Sequence, residues 1–508
     1  MGERTELFMR DTDAFTWYME HDPGLRSTIL ATAWLEGRPD FEVLTARLER
    51  ATRLVPRFRQ RLVEPPGRLA TPRWVDTDFD LAFHLRRIGA PAPHTPATVI
   101  EFARIEAMSG FDRSRPLWQF TLVEGLEGDR AALVMKVHHS LTDGVGGMQL
   151  ALLVFEATAE TAPVGEEPEP PHDLGPPGLL GLIEDSLLYD WHRVLETARH
   201  GAAGVVPAAV QATRHPLRTT SDVVATIKSV GRFVQPVSET LSPVMTGRGL
   251  DRHLATMSVD LEDLKRAAAA VDGTVNDAFV ASITGGLRLY HEIHGAPVDE
   301  LRITMPISMR REGDPVGGNR ITLERFKVPV GEADPGTRVR VTGWQCRAAR
   351  REEALPLSNA IAGTLNLLPS GVVGGMLKHI DFLASNVPGI TIPIYLGGAR
   401  VSGYYAFGPT TGASVNVTLL SYTGICCIGF TIDTAAVPDP DVLMACFRDG
   451  FEEVLTLAGE HRPVGVPWGE ETPATPEGAA GRAEPQTTPV VTAATQDPVP
   501  DDEEGARS

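Results

Sequence analysis

The stretch that most limits the fold of this chain is the apolar run at residues 131–137, which ends in His138-His139-Ser140-Leu141-Thr142-Asp143-Gly144. A run this short, bounded by polar and turn residues, reads as a β-strand. After Gly147 the apolar residues Met148, Leu150, Leu152, Leu153 and Phe155 take up helical spacing. The two histidines therefore sit on a loop between a strand and a helix. Gly144 lets the chain bend sharply there. A histidine can accept and return a proton near neutral pH, and an acid four residues after His139 is close enough to brace the turn. Paired histidines beside an aspartate also suggest metal binding, but neither an HExxH nor a Cys/His set is present. One histidine at a strand end is often just a buried, hydrogen-bonded residue. The complete string carries more weight than either histidine alone.

The surroundings alternate between helix and strand. A strand at 118–123 pairs with the one at 131–137 as a hairpin with a loose turn. Asp40 caps a helix carrying Phe41, Leu44, Leu48 and Ala51, and Thr95-Pro96 opens another that Gly110 closes. Near Asp251 a second folded region begins. Strands are expected at 253–259, 301–306, 321–330, 390–394, 415–420 and 425–432, with helices after Asp260 and after Thr274. This irregular alternation argues for an α/β or α+β fold. At 508 residues the chain exceeds one ordinary core, so two domains are expected. The composition divides it into a first lobe at 1–162, a linker with crossover helices at 163–250, a second lobe at 251–468 and a disordered acidic tail at 469–508. Within the linker, Leu179, Leu180, Leu182, Ile183, Leu187, Leu188 and Trp191 form an apolar stripe. It fits a helix packed on the body or one resting on lipid.

Charge excludes some partners. A net charge of −19 repels a phosphate backbone, so nucleic acid is not expected. The same charge opposes broad adhesion to anionic membranes, and any membrane contact must be apolar or local. The four cysteines, Cys346, Cys426, Cys427 and Cys446, lack a CxxC spacing and read as buried thiols. Adjacent Cys426 and Cys427 point to opposite faces of a strand. The charged N-terminus has no apolar signal region, Glu6 breaks a myristoylation motif, and no apolar run reaches about 18 residues. The expected location is cytoplasmic, with peripheral contact at the inner membrane or lipid droplets.

His138, His139, Asp143 and Gly144 match the HHxxxDG signature of the bacterial wax ester synthase/diacylglycerol acyltransferase family. Further segments resemble that family in the same order. They are Pro116-Leu117-Trp118, Asn276-Asp277, the segment Met305-Pro306-Ile307-Ser308-Met309-Arg310, Asn386-Val387-Pro388-Gly389, and Ser421-Tyr422 with Gly424. The stretch around Gly24 to Thr28 departs from the family's usual pattern, which bears on substrate choice. HHxxxDG also marks peptide-synthetase condensation domains and acyltransferases that esterify polyketide lipids, but no carrier-protein domain follows here.

The resemblance implies two chloramphenicol-acetyltransferase-like lobes with a tunnel between them. It implies acyl transfer from acyl-CoA to diacylglycerol or a fatty alcohol, with acyl-CoA as donor substrate and no bound cofactor or metal. His139 would be the general base, and no acyl-enzyme would form. Asn276 is the candidate oxyanion donor, unless its amide serves only capping or buried hydrogen bonding. His138 would set the surroundings of His139. Asp143 would pair with a buried arginine such as Arg310 and, with Gly144, shape the loop. Pro116, Leu117 and Trp118 would pack the tunnel wall or lobe. Asn386, Pro388 and Gly389 would form a tight turn near the lobe interface. A catalytically weak, lipid-binding member of the same fold is the competing reading.

Overall fold

A computed structural model describes residues 7–66, 70–142, 144–160, 168, 239–308, 321–351 and 378–465. In chain order the first half holds α1 (Asp11–Met19), β1 (Thr28–Glu36), α2 (Phe41–Leu54), β2 (Gln60–Val63), β3 (Arg73–Asp76), α3 (Leu81–His84), β4 (Leu85–Gly89), α4 (Pro96–Met108), β5 (Trp118–Leu126), β6 (Arg130–His138) and α5 (Gly144–Val154). The second half holds β7 (Arg252–Asp260), α6 (Leu261–Ala269), α7 (Val275–Ile293), β8 (Glu300–Ser308), β9 (Ile321–Pro329), α8 (Pro335–Arg350), β10 (Ile380–Ile390), β11 (Tyr395–Leu396), β12 (Ala399–Phe407), β13 (Ala413–Tyr422), β14 (Ile425–Asp433) and α9 (Pro440–Leu455). The expected linker helix carrying Leu179 to Trp191, most of the linker and the acidic tail lie outside the described residues. Among the described residues no helix is long and apolar enough to cross a membrane.

Local chemistry sets several ends. The Asp40 carboxylate accepts from the backbone N–H groups of Glu42 and Val43, satisfying donors that α2 leaves open. Thr274 and Asp277 form a reciprocal capping box at the start of α7. β5 and β6 make the expected antiparallel hairpin.

Among the described residues the strands form two six-stranded sheets and a small ribbon. The first sheet runs β11-β12-β1-β6-β5-β4 and the second β7-β14-β13-β10-β8-β9. The division by sheet does not follow the division by sequence. β11 and β12 come from the second half of the chain, yet β12 pairs with β1, Leu30 opposite Phe407. Helices α6, α7, α8 and α9 cover one face of the second sheet and bury Phe279, Ile283, Leu287, Phe447 and Phe451. The other face of that sheet packs into the first core through Val387, Leu420 and Cys427. Alternation explains the split. Cys426 and Cys427 are neighbours on β14, yet the first belongs to one core and the second to the other. All four cysteines are free and buried. Burial pushes the Cys426 thiol up to about 12, so it stays a protonated hydrophobe.

The strand expected at 390–394 lies elsewhere. The strand is β10, which ends at Ile390, while Ile392 is exposed. Pro393 has no N–H for a ladder, and Asp381 masks the true strand's apolar pattern. Asp381 is fully buried because its carboxylate accepts from the backbone N–H groups of Leu241, Ser242 and Arg302 at 3.1, 3.0 and 2.8 Å.

Candidate active site

β6 delivers the histidine pair. His138 is its last residue, and its N–H donates to Leu117 O at 3.0 Å. His139 is the first residue beyond it, half-buried, with its N–H donating to Ser27 O at 2.9 Å. The chain is therefore pinned to β5 on one side and to the start of β1 on the other. α5 follows at once from Gly144 and packs against β10. Asp143 and Arg310 lie outside the described residues, so their pairing does too.

His138 is fully buried, with a polar group beside each ring nitrogen. Its Nδ1 accepts from Ser140 N–H at 3.1 Å and lies 2.7 Å from Ser140 Oγ. Its Nε2 lies 3.1 Å from Glu20 Oε1. Trp17 and Phe111 meet its ring edge to face, at centroid distances of 5.6 and 5.9 Å. Glu20 also accepts from Ser27 N–H at 2.7 Å, so one carboxylate fixes both the His138 ring and the residue whose carbonyl holds His139. Burial pushes the Glu20 carboxyl up, but His138, the Ser27 N–H and Arg113 outweigh it and hold it below its ordinary value. On the same face of β6, buried Lys136 donates to Ser109 Oγ at 2.6 Å and to Glu106 Oε2 at 3.1 Å. Burial holds its ammonium below the usual lysine value, against the pull of Glu106. Two polar clamps thus lock the strand that presents His139.

The other motif residues have different tasks. Leu117 and Trp118 are buried core. Trp118 stacks on His84 at 4.6 Å and donates from Nε1 to Phe58 O at 2.9 Å. Pro116 is buried beside them. Asn276 lies in the first turn of α7, half-buried; burial raises the Cys346 thiol on α8, and the Asn276 amide offsets a small part of that rise. Asp277 closes the capping box and accepts from Arg347 Nη1 at 2.9 Å. The described contacts of this pair run to α8.

Asn386, Pro388 and Gly389 do not form a tight turn; they lie within β10. The β10–β13 register shifts between Val387 and Ile390, so Pro388 and Gly389 form a bulge facing Ser421. Proline fits there because a bulge spares it a ladder donor. A Cβ on Gly389 would fall 1.4 Å from Ser421 O. Gly389→Ala is therefore expected to cost about 1–3 kcal/mol by overpacking, read as a lower urea midpoint; an unchanged midpoint would contradict the contact.

A cleft lies where the two sheets meet and is lined by Arg26, Thr28, Met108, Arg252, Phe407 and Thr410 among others. Arg26 and Thr28 flank Ser27, and Thr28 lies opposite His138 across the β1–β6 ladder. Arg26 donates to Met108 O, and Arg252 Nη1 lies 3.2 Å from Asp433.

Sequence reasoning missed Glu20, Ser140 and Ser27. Ser140 stands inside the motif, two residues from His138, and could have been read as its partner. No local spacing links Glu20 or Ser27 to the histidines.

Two six-stranded sheets with a histidine pair at the end of a central strand define a chloramphenicol-acetyltransferase-like acyltransferase fold. Solved structures share it. The wax ester synthase/diacylglycerol acyltransferase of Marinobacter aquaeolei VT8 aligns with a TM-score of 0.59 at 22% identity, over 89% of this chain and all of that one. The first condensation domain of the calcium-dependent antibiotic synthetase aligns with a TM-score of 0.58 at 13% identity, over 90% and 97%. The wax ester synthase/diacylglycerol acyltransferase catalytic domain matches residues 9–279, and the C-terminal domain of the same family matches residues 317–454. A Mycobacterium tuberculosis protein assigned by name to the diacylglycerol O-acyltransferases is 36% identical over 88% of this chain and 91% of its own length. A second from that organism, with the same assignment, is 30% identical over 84% and 90%. The chain belongs to the wax ester synthase/diacylglycerol acyltransferase family and is an acyltransferase.

Proposed function

We propose that this chain transfers a long-chain acyl group from acyl-CoA to the hydroxyl of diacylglycerol, giving triacylglycerol, with a fatty alcohol as the alternative acceptor. The observation that carries this reading is the placement of His139 just past a clamped strand end, its N–H held by Ser27, whose neighbours Arg26 and Thr28 line the cleft where the sheets meet. The relatives at 36% and 30% identity, both named for diacylglycerol, favour that acceptor.

In this reading His139 takes the hydroxyl proton as the alcohol oxygen bonds to the thioester carbonyl carbon. The tetrahedral oxyanion collapses, the C–S bond breaks, and His139 returns the proton to the CoA thiolate. The products are an ester and free CoA thiol, and no acyl-enzyme is needed. Glu20, His138 and Ser140 act by position: they fix the strand end so that His139 meets its substrate without a search of rotamers or backbone. His138 transfers no proton in this scheme. The developing oxyanion needs a donor, and Asn276 is the candidate. Asn276→Ala is expected to lower kcat by about tenfold or more at unchanged KM. A loss of thermal stability alone would assign the amide to α7–α8 packing.

Diacylglycerol and its product are insoluble in water, so peripheral association with membrane or lipid droplets follows from the substrates. The direct test supplies radiolabelled palmitoyl-CoA with diacylglycerol or hexadecanol and resolves the labelled ester. Formation of either ester supports the reading, and the faster acceptor fixes the product. Binding of acyl lipid without turnover would replace it with a lipid-binding role.

A further inference from the structure

The outer face of α8 differs from the acidic surface expected of this chain. Helical spacing aligns Arg340, Trp344, Arg347 and Arg351 along one stripe, with Val341 beside it, and all five are exposed. Trp344 is 66% exposed and Val341 38%. Arg350 is exposed next to them. The opposite face, with Val339, Thr342, Gly343, Cys346 and Ala349, is buried, against α7 and β9. The helix is therefore anchored from behind and holds its outer face fixed. Arg350 and Arg351 form no ion pair with any described residue. Arg340 donates to Thr337 Oγ1 on its own helix at 3.1 Å. This cationic cluster stands on a chain of net charge −19, so the local field opposes the global one.

We propose that this face of α8 docks the protein on an anionic lipid surface, Trp344 entering the headgroup layer and the arginines pairing with lipid phosphates. The proposal rests on the lipid-substrate reading above, because an enzyme of insoluble acceptors must gather where they are. Three features favour a membrane over an acidic protein partner. The face is the outer surface of a single helix. Its exposed indole has the amphipathic shape that partitions to the membrane–water interface. Its arginines flank that indole, as in helices that lie in the interface plane. Docking here also reaches the first turn of α7. Arg347 binds Asp277, and a Cβ on Gly343 would fall 2.7 Å from the Asp277 carboxylate. The lipid surface would lie one helix away from the turn that carries Asn276.

The test is flotation of the purified full chain with vesicles of phosphatidylcholine alone and of phosphatidylcholine mixed with phosphatidylglycerol. The wild type is expected to float with the mixed vesicles and to be released as salt rises. Each basic residue near such a surface changes partition about fivefold. Trp344→Ala combined with Arg350→Glu and Arg351→Glu is therefore expected to lower binding well over tenfold. Turnover of detergent-dispersed substrates by that variant should be unchanged, which shows that it folds. Trp344→Ala alone is expected to weaken binding with less change in salt dependence. Equal flotation of wild type and triple variant overturns the proposal. So does a wild type that ignores phosphatidylglycerol, which would leave the face to an acidic protein. A chain that floats as expected but transfers no acyl group defeats the functional reading and leaves the docking face standing. One that acylates dispersed acceptors but does not float does the reverse.

Discussion

His139→Ala is expected to lower kcat for ester formation by roughly 10²–10⁴-fold, the contribution of a positioned general base, with little change in KM for acyl-CoA. The uncatalysed alternative is attack by a neutral hydroxyl on a thioester. That attack builds positive charge on the alcohol oxygen unless a base removes the proton in the same step. His139 is half-buried, so its truncation removes less buried surface than loss of the fully buried His138 ring and is expected to lower activity far more than thermal stability. His138→Ala should behave differently. It empties a fully buried site, takes the acceptor from the Ser140 N–H and leaves the Glu20 carboxylate with the Ser27 N–H but no imidazole, so activity and stability should fall together. The two variants are compared by labelled-ester assay and thermal melts. If His139→Ala retained wild-type kcat, the base would have to be sought elsewhere.

Glu20→Ala is expected to destabilise the protein by about 3 kcal/mol, since it strips buried partners from the His138 ring and from the Ser27 N–H together. It should lower kcat as well, because Glu20 holds Ser27, whose carbonyl accepts from the His139 N–H. Glu20→Gln separates shape from charge and carries a pH signature. The Glu20 carboxyl is held below its ordinary value of 4.5 in the folded protein. Its charge therefore stabilises the fold fully above that value, and the contribution is lost as pH falls through the lowered folded value. The stability gap between wild type and Glu20→Gln should be widest near neutrality and close under acid. A gap independent of pH would mean that the carboxylate charge contributes nothing. Urea unfolding across the pH range measures it.

Much of the candidate site was legible in the sequence because its pieces are local. The strand, the histidine loop and the following helix occupy adjacent residues, and their periodicities differ enough to be told apart. Asp40 and Thr274 announced their helices because capping is satisfied within three residues. The opposite faces of Cys426 and Cys427 follow from the two-residue repeat of a strand. The resemblance added the chemistry of His139, which spacing alone left open between base, ligand and buried residue.

What the sequence could not determine lies in contacts between distant segments. Nothing near residue 400 marks β12 as a strand of the first sheet, because edge pairing is chosen by backbone hydrogen bonds that any sequence of suitable pattern can make. The resemblance implied a tight turn at Asn386 to Gly389, but they form a bulge whose glycine is required by Ser421 on another strand. No spacing in the sequence ties Glu20 to the histidines. Only the fold buries it against His138, where desolvation makes a single well-placed carboxylate decisive. The same holds for α8. Its arginines and tryptophan were in plain view, but only packing against α7 showed which side of the helix faces out. Local order was thus fixed by neighbours in sequence, while the partners of each buried polar group, and the face left for others to bind, were decided by the tertiary structure, because burial and charge pairing depend on distance in space.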